Sequence, residues 1–408
     1  MKILQINKYF YLRGGSERYF FGLSKILENN GHQVAHFSMK HERNLESKYA
    51  KYFTEKIELD KFSLKSIIKI FYNHDAVNKL DKLMNDFKPD VAHLHNIDRQ
   101  LGPAIINLLK KRGIPVVMTL HDFKAFCPKG TLYNKRAHCR KCLNGNYYNC
   151  LKDKCIKESY LKSALGMLEF YWQRFFLMAY GKVDTFHAPS LYMKNIAVSS
   201  GISSEKIFDL VYPIEAREDS NGTEKVNEEY LLYFGRLSEE KGIDVLIRAL
   251  SRTKIGIKLK IAGEGELKDG LMKISDALGL TKRIEFLGFQ NGEKLEKLIS
   301  GAEAVVIPSL WPENMPYSLL ESMASGKTII ASKTGGIPER IVDESSGYLF
   351  SIGNINELAE KIDSAVSEKN AMLGQKARDS IKNFNTKKHY EELVKMYNSL
   401  IFAKLKHY

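Results

Sequence analysis

YLLYFGRLS, residues 230–238, decides how this chain is divided. Its first residues are Tyr, Leu and Phe throughout and read as a buried strand, which Gly235 then closes. Just before it, PIEAREDSNGTEKVNEE (213–229) is polar with few apolar residues and reads as a linker. After it, strands and helices alternate through VLIRALSR, KLKIAGEG, RIEFLGF, AEAVVIPS, LLESMASG, TIIASKTGG and SGYLF. The stretch therefore opens a second domain.

The first domain follows the same rhythm. KILQIN (2–7) is a strand, YLRGGSE a glycine-rich loop, and RYFFGLSKILENNG a helix stopped by Gly31. QVAHFS, DVAHLHN (90–96), PVVMTLHD (115–122) and VDTFHAPS read as further strands. SLKSIIKIFYNHDAVNKLDKLMNDF, LGPAIINLLKKRG and LKSALGMLEFYWQRFFLMAYG read as the helices between them. This pattern predicts an α/β fold with two Rossmann-like, doubly wound domains facing across a cleft. The expected division is 1–212 with a Cys-rich insertion at 123–157, the linker 213–229, a second domain at 230–385, and an amphipathic helix at 386–408 packing back on the first domain.

With 408 residues, 44% hydrophobic and 27% charged, the composition is that of a globular protein and argues against disorder. No apolar run approaches the length of a membrane span, and MKILQINKYF reads as a strand, so the expected location is cytoplasmic. Net charge is +14 and lopsided: residues 1–210 hold 34 Lys and Arg against 19 Asp and Glu, and the remainder 28 against 29. A basic half suits a polyanionic partner, such as an inner-membrane surface, a phosphorylated substrate or nucleic acid; a solvated lysine surface is the plain alternative.

All five cysteines fall between 127 and 155. Cys139-x2-Cys142 followed by Cys150-x4-Cys155 is similar to a four-thiolate structural zinc site, with reduced thiols and redox chemistry as the other readings.

Two cations, Arg236 and Lys241, follow the strand in FGRLSEEKG (234–242), a placement that suits a diphosphate. IAGEGE (261–266) brings Gly263 and Gly265 to a strand end, where backbone can approach a ligand. PENMPYSLLE (312–321) sets Glu313 in a loop and Glu321 in a helix, with Pro316 at the first helical position. That helix start would offer the N–H groups of Ser318 and Leu319 to a phosphate. In the first domain Gly14, Gly15 and Ser16 form a loop at a helix start, and His95 and His121 stand at strand ends. Asp122 would orient His121 or cap the next turn.

The GG loop, LHD (120–122), FGRLSEEKG, E-x7-E and TGGIPE (334–339), in this order, resemble retaining glycosyltransferases of family 4, which have the GT-B fold. HDF-x3-CP and APSLYMK (188–194) are similar to bacterial members that build cell-surface polysaccharide. The resemblance covers nearly the whole chain. It implies transfer of a sugar from a UDP- or GDP-sugar to a glycan or lipid-diphosphate-linked acceptor, with retention and without a divalent metal. It implies that Glu321 binds ribose hydroxyls and that Glu313, with Asn314 beside it, faces the donor sugar. Arg236 and Lys241 would neutralise the leaving diphosphate, Gly14 and Gly15 would touch the same phosphates, His121 would bond the sugar, and Phe289 would mark the base site. Pro316 stands where the family often has glycine, and proline has no N–H to give a sugar hydroxyl. Glu17, Arg18, His95, Asp98 and Arg99 are the acceptor candidates. The helix containing LEFYWQRFFLMAY either dips into a membrane interface or packs on its own sheet.

Two other functions remain. A sugar-nucleotide epimerase would share the fold and need no acceptor. A zinc-containing nucleic-acid-binding protein would use the basic charge, but the near-neutral second domain fits it poorly, so no nucleic-acid partner is expected. A dehydrogenase is disfavoured because no G-x-G-x-x-G follows the first strand.

Overall fold

A computed structural model describes residues 1–58, 63–215, 229–367 and 371–405. Most of the expected linker, 213–229, lies outside the described residues. The chain forms two compact units. The first comprises 1–132, 139–211 and 387–408; the second comprises 133–138 and 212–386.

The strands run β1 (Lys2–Ile6), β2 (Gln33–Phe37), β3 (Val91–Leu94), β4 (Val116–Thr119), β5 (Tyr133–Asn134), β6 (Ala137–His138), β7 (Thr185–Ala188) and β8 (Ile207–Asp209). They continue as β9 (Tyr230–Phe234), β10 (Lys258–Ala262), β11 (Ile284–Gly288), β12 (Ala304–Ile307), β13 (Thr328–Ser332) and β14 (Tyr348–Phe350). The first unit holds a sheet ordered β2-β1-β3-β4-β7-β8 and the second a sheet ordered β11-β10-β9-β12-β13-β14. Pairing in both is parallel throughout. Central strands β3, β4, β9, β12 and β13 are buried along their length, as strands covered by helices on both faces must be. The α/β class and two doubly wound sheets are thus as the alternation implied.

Three details differ from the sequence reading. The stretch after Ser63 is two helices, Leu64–Phe71 and His74–Phe87, because Tyr72 turns extended and the Asn73 side chain caps the second by accepting from Ala76 N–H. The aromatic helix runs Tyr160–Trp172, widens into a π turn over Gln173–Leu177, and ends at Met178 in a left-handed conformation. The short hairpin β5–β6, within the cysteine insertion by sequence, groups with the second unit.

The core of the first unit carries a chain of hydrogen-bonded histidines. His187 Nε2–H donates to the Leu210 carbonyl, so its Nδ1 accepts from Thr119, whose oxygen accepts from His93 Nε2–H. His93 Nδ1 in turn accepts from the Tyr397 hydroxyl, and Tyr19 donates to His389 Nε2, whose Nδ1–H meets the Val211 carbonyl. The helix Thr386–Leu405 supplies His389 and Tyr397 and so closes this core.

Candidate active site

In an open parallel sheet the crevice for ligands opens where consecutive strands depart in opposite directions. In the second unit that point lies between β9 and β12. The loop after β9 carries Arg236 and Lys241; the loop after β12 carries Glu313. They meet there: Lys241 Nζ lies 2.7 Å from Glu313 Oε1, and the glutamate also accepts from Ser309 Oγ at 2.6 Å. Lys241 stands over the Trp311 ring, 5.1 Å from its centroid. Burial alone would raise the Glu313 carboxyl, but the Lys241 ammonium and hydrogen bonds from Lys241, Ser309 and Trp311 together outweigh it, and the group lies below the ordinary carboxylate range. Arg236 is half exposed, and its nearest carboxylate, Glu240, is 3.8 Å away.

Glycines hold these loops together. A Cβ on Gly242 would come within 2.1 Å of the Pro308 carbonyl oxygen, and one on Gly335 within 1.8 Å of the Glu313 oxygen. Gly336 N–H then bonds that Glu313 carbonyl at 2.8 Å. TGGIPE is therefore the clamp on the Glu313 backbone. Gly263 and Gly265 have the same office: their Cβ positions fall 1.9 Å and 2.2 Å from the Gly235 and Leu237 oxygens. Loop-to-loop contact alone already requires glycine at 263.

Pro316 is the N-cap, in extended conformation, and the helix is Tyr317–Ala324, one residue later than expected. Leu319 N–H is not available to a phosphate, because it bonds the Pro316 carbonyl at 3.1 Å. Ser318 N–H has no partner among the described residues. Glu313, Asn314 and Glu321 are all buried. Phe289 follows β11 and is exposed.

In the first unit the crevice lies between β1 and β3. There Lys8 Nζ meets Asp98 Oδ1 at 2.7 Å. Burial would raise Asp98, but Lys8 and then Lys124 hold it at about 2. Asp122, pushed up by burial and by Asp98, accepts from Lys124 N–H at 2.8 Å, so it caps the turn. Asp98, His121, Asp122, Lys124 and Tyr180 line one pocket.

Other candidates sit differently from expectation. Glu17 is 2% exposed, turned inward to accept from Asn7 and Ser16, and raised by burial, so it offers no surface to an acceptor. His95 is wholly buried: its Nε2–H donates to Gln5 and its Nδ1 accepts from His121 Nε2–H at 2.9 Å. It positions His121, whose pKa burial lowers to about 3. Arg99 Nε pairs with buried Glu169 at 3.4 Å, and Arg18 is half buried. Gly14 caps the helix Gly15–Asn29, and a Cβ there would find only Glu17 Oε2 at 3.9 Å.

Among the described residues no group of three or more His, Cys, Asp or Glu is placed to hold a metal ion. Cys142, Cys150 and Cys155 instead pack with Tyr147 and Phe170. Burial pushes Cys142 up to about 12. Cys150 hydrogen-bonds Cys155, raising the first and lowering the second to about 7. Cys139 is likewise raised by burial.

Lys8, Lys124, Ser309 and Trp311 escaped the sequence reading. The aromatic and serine in PSLWPE, directly before Glu313, were the available signal.

Residues 13–208 match Glycosyltransferase Family 4, and residues 215–388 match Glycosyl transferases group 1. Each half of the chain thus matches a glycosyltransferase family model, and the fold is GT-B. An uncharacterized glycosyltransferase of Methanocaldococcus jannaschii is 34% identical over 174 residues, 40% of this chain and 44% of that relative. The match thus spans less than half of the relative's length. Among solved structures, sucrose-phosphate synthase from Thermosynechococcus elongatus superposes with a TM-score of 0.73 at 18% identity, covering 98% of this chain and 99% of that one. HepE of Anabaena, in complex with UDP-glucose, superposes with a TM-score of 0.69 at 18% identity over 98% and 100%. At such identities the chain shares its fold alone with both.

Proposed function

We propose that this protein is a retaining, metal-independent glycosyltransferase that moves a sugar from a UDP- or GDP-sugar to a glycan or lipid-linked acceptor in cell-surface polysaccharide synthesis. The Lys241–Glu313 pair at the crevice of the second sheet carries the reading. When a nucleotide departs, negative charge grows on the diphosphate and positive charge at the anomeric carbon. Lys241 and exposed Arg236 supply cations for the first; Glu313, held ionised, supplies a carboxylate for the second. Ser318 N–H at the helix start adds a donor for phosphate, Glu321 accepts from ribose hydroxyls, and Phe289 offers a face to the base. Asn314 lines the sugar site, where Pro316 has no N–H to contribute.

The first unit takes the acceptor. Its strand-end pocket joins two carboxylates, Asp98 and Asp122, to Lys124 and His121, a set suited to sugar hydroxyls. That HepE holds UDP-glucose on this fold favours a UDP-sugar.

The test is the melting temperature of the protein with a panel of nucleotide sugars, beside Glu321→Ala. A ligand at 100 times its dissociation constant stabilises by about 2.7 kcal/mol. One UDP- or GDP-sugar should raise the midpoint, and the variant should lose the shift. NMR of the product then reads the anomeric configuration; an inverted linkage, or an epimerised donor without acceptor, overturns the reading.

A further inference from the structure

The helix Tyr160–Trp172 is apolar on two sides: Phe170 packs inward among the cysteines, and leucines face out. Its buried positions include Ser163, Gly166 and Glu169, whose carboxylate bonds Arg99 and Gln173 within the fold. Leu161 and Leu168 face outward, 66% and 51% exposed. The stripe they begin continues at helical spacing through Trp172 to Phe176. A helix that serves only its own core puts its leucines inward and its glutamate outward. This one gives Phe170 to its core and leaves a second apolar side outward.

The π turn enlarges that side. By widening the last turn it sends Phe175 and Phe176 out together, 61% and 69% exposed. The rings are ordered: Phe176 stacks on Trp172 at 4.6 Å and Phe175 on Tyr171 at 6.0 Å. The neighbouring helix Leu64–Phe71 adds Leu64 and Ile68, 75% and 54% exposed, and touches the stripe where Phe71 meets Trp172 edge-on. A patch of this kind on a soluble surface marks a contact.

We propose that this aromatic edge docks the protein on an anionic lipid bilayer. Charge chooses the occupant. Between 152 and 182 the chain has six cations, Lys152, Lys154, Lys157, Lys162, Arg174 and Lys182, against Asp153, Glu158 and the buried Glu169. The whole of 1–210 has an excess of 34 − 19 = 15 cations. Apolar rings with a basic flank are what an anionic interface holds, rings among the acyl chains and cations at the headgroups. None of the described helices is long and apolar enough to cross a membrane, so the contact is interfacial. The proposal does not rest on the donor site, since vesicle binding is read without any nucleotide.

The full chain is mixed with vesicles of phosphatidylglycerol and phosphatidylcholine, or of phosphatidylcholine alone, and sedimented. Binding to the anionic vesicles should exceed the other by about tenfold and weaken with salt. Brominated acyl chains should quench Trp172. Phe175→Ser with Phe176→Ser should cut anionic binding by about tenfold or more without moving the melting temperature, because both rings are exposed. Leu161→Ser with Leu168→Ser should act alike from the other end. No binding to anionic vesicles overturns the proposal, as does binding that both double variants leave intact. So does a dimer in solution that Phe175→Ser with Phe176→Ser converts to monomer, which would assign the edge to a second copy.

Discussion

Each unit sets one lysine against one carboxylate where its sheet divides, Lys8 with Asp98 and Lys241 with Glu313, both at 2.7 Å. The surroundings differ. Around Lys241 the loops interlock through glycines whose Cα hydrogens face carbonyl oxygens, so backbone fixes the geometry. Around Lys8 the fixing is by side chains: buried histidines, the Asp122 cap, and the cations Lys124 and Arg99 close to Asp98. One βαβ grammar thus yields a rigid crevice in one unit and an ionisable one in the other. The first tolerates no added atom; the second tolerates little added proton.

The sharpest way to break this contrast is glycine. Gly335→Ala combines a φ of +57° with a clash against the Glu313 backbone and should destabilise by at least about 3 kcal/mol. Gly14→Ala, extended and with ordinary contacts, should stay within about 0.5 kcal/mol. Equal losses by chemical denaturation would end the distinction. Activity lost from Gly14→Ala at full stability would show that position approaching a ligand.

The lysines come next. Lys241→Met strands a buried carboxylate and should cost about 3 kcal/mol. Lys8→Met should cost about half that, since Asp98 keeps Lys124 and Arg99 nearby. A reversed order in urea unfolding would mean that the second pair is the better solvated.

Acid should separate the units. Burial lowers His121 and His389 to about 3 and His36 and His187 to about 4, from 6.5. Above about pH 6.5 these rings are neutral in folded and unfolded chains alike, and their contribution is complete. Below it the unfolded chain takes up protons first, so stability falls as pH falls towards the folded values. At pH 5 the cost is at most about 2 kcal/mol for each such histidine. Hydrogen exchange should show the first unit opening ahead of the second between pH 7 and 5; equal behaviour would make the histidine chain irrelevant to stability. Smallest of all, a chelator should leave both units unmoved, and one bound equivalent of zinc would establish the four-thiolate reading.

The βαβ alternation, the glycine punctuation and the E-x7-E spacing were legible in the sequence because each is local. So was the pairing of cation and acid, though not the partners: Lys8 and Asp98 are 90 residues apart. The fates of Glu17 and His95 were hidden because a helix start and a strand end look alike whether the side chain turns in or out. Cysteine spacing showed that the thiols gather, but not that they pack on Tyr147 and Phe170. The break at Asn73 was signalled by a capping residue within an otherwise helical period.

Helix Thr386–Leu405 seals the first unit with His389 and Tyr397, and this sets an order for synthesis. The ribosome releases the six strands of the first sheet early, yet their last covering helix emerges only after the second unit has been made. At ordinary translation rates that interval is roughly 10–35 s. Through it, the nascent first unit must wait without the bonds from Tyr19 to His389 and from Tyr397 to His93. The second unit, contiguous but for one hairpin, needs no such wait and can fold before the first is complete.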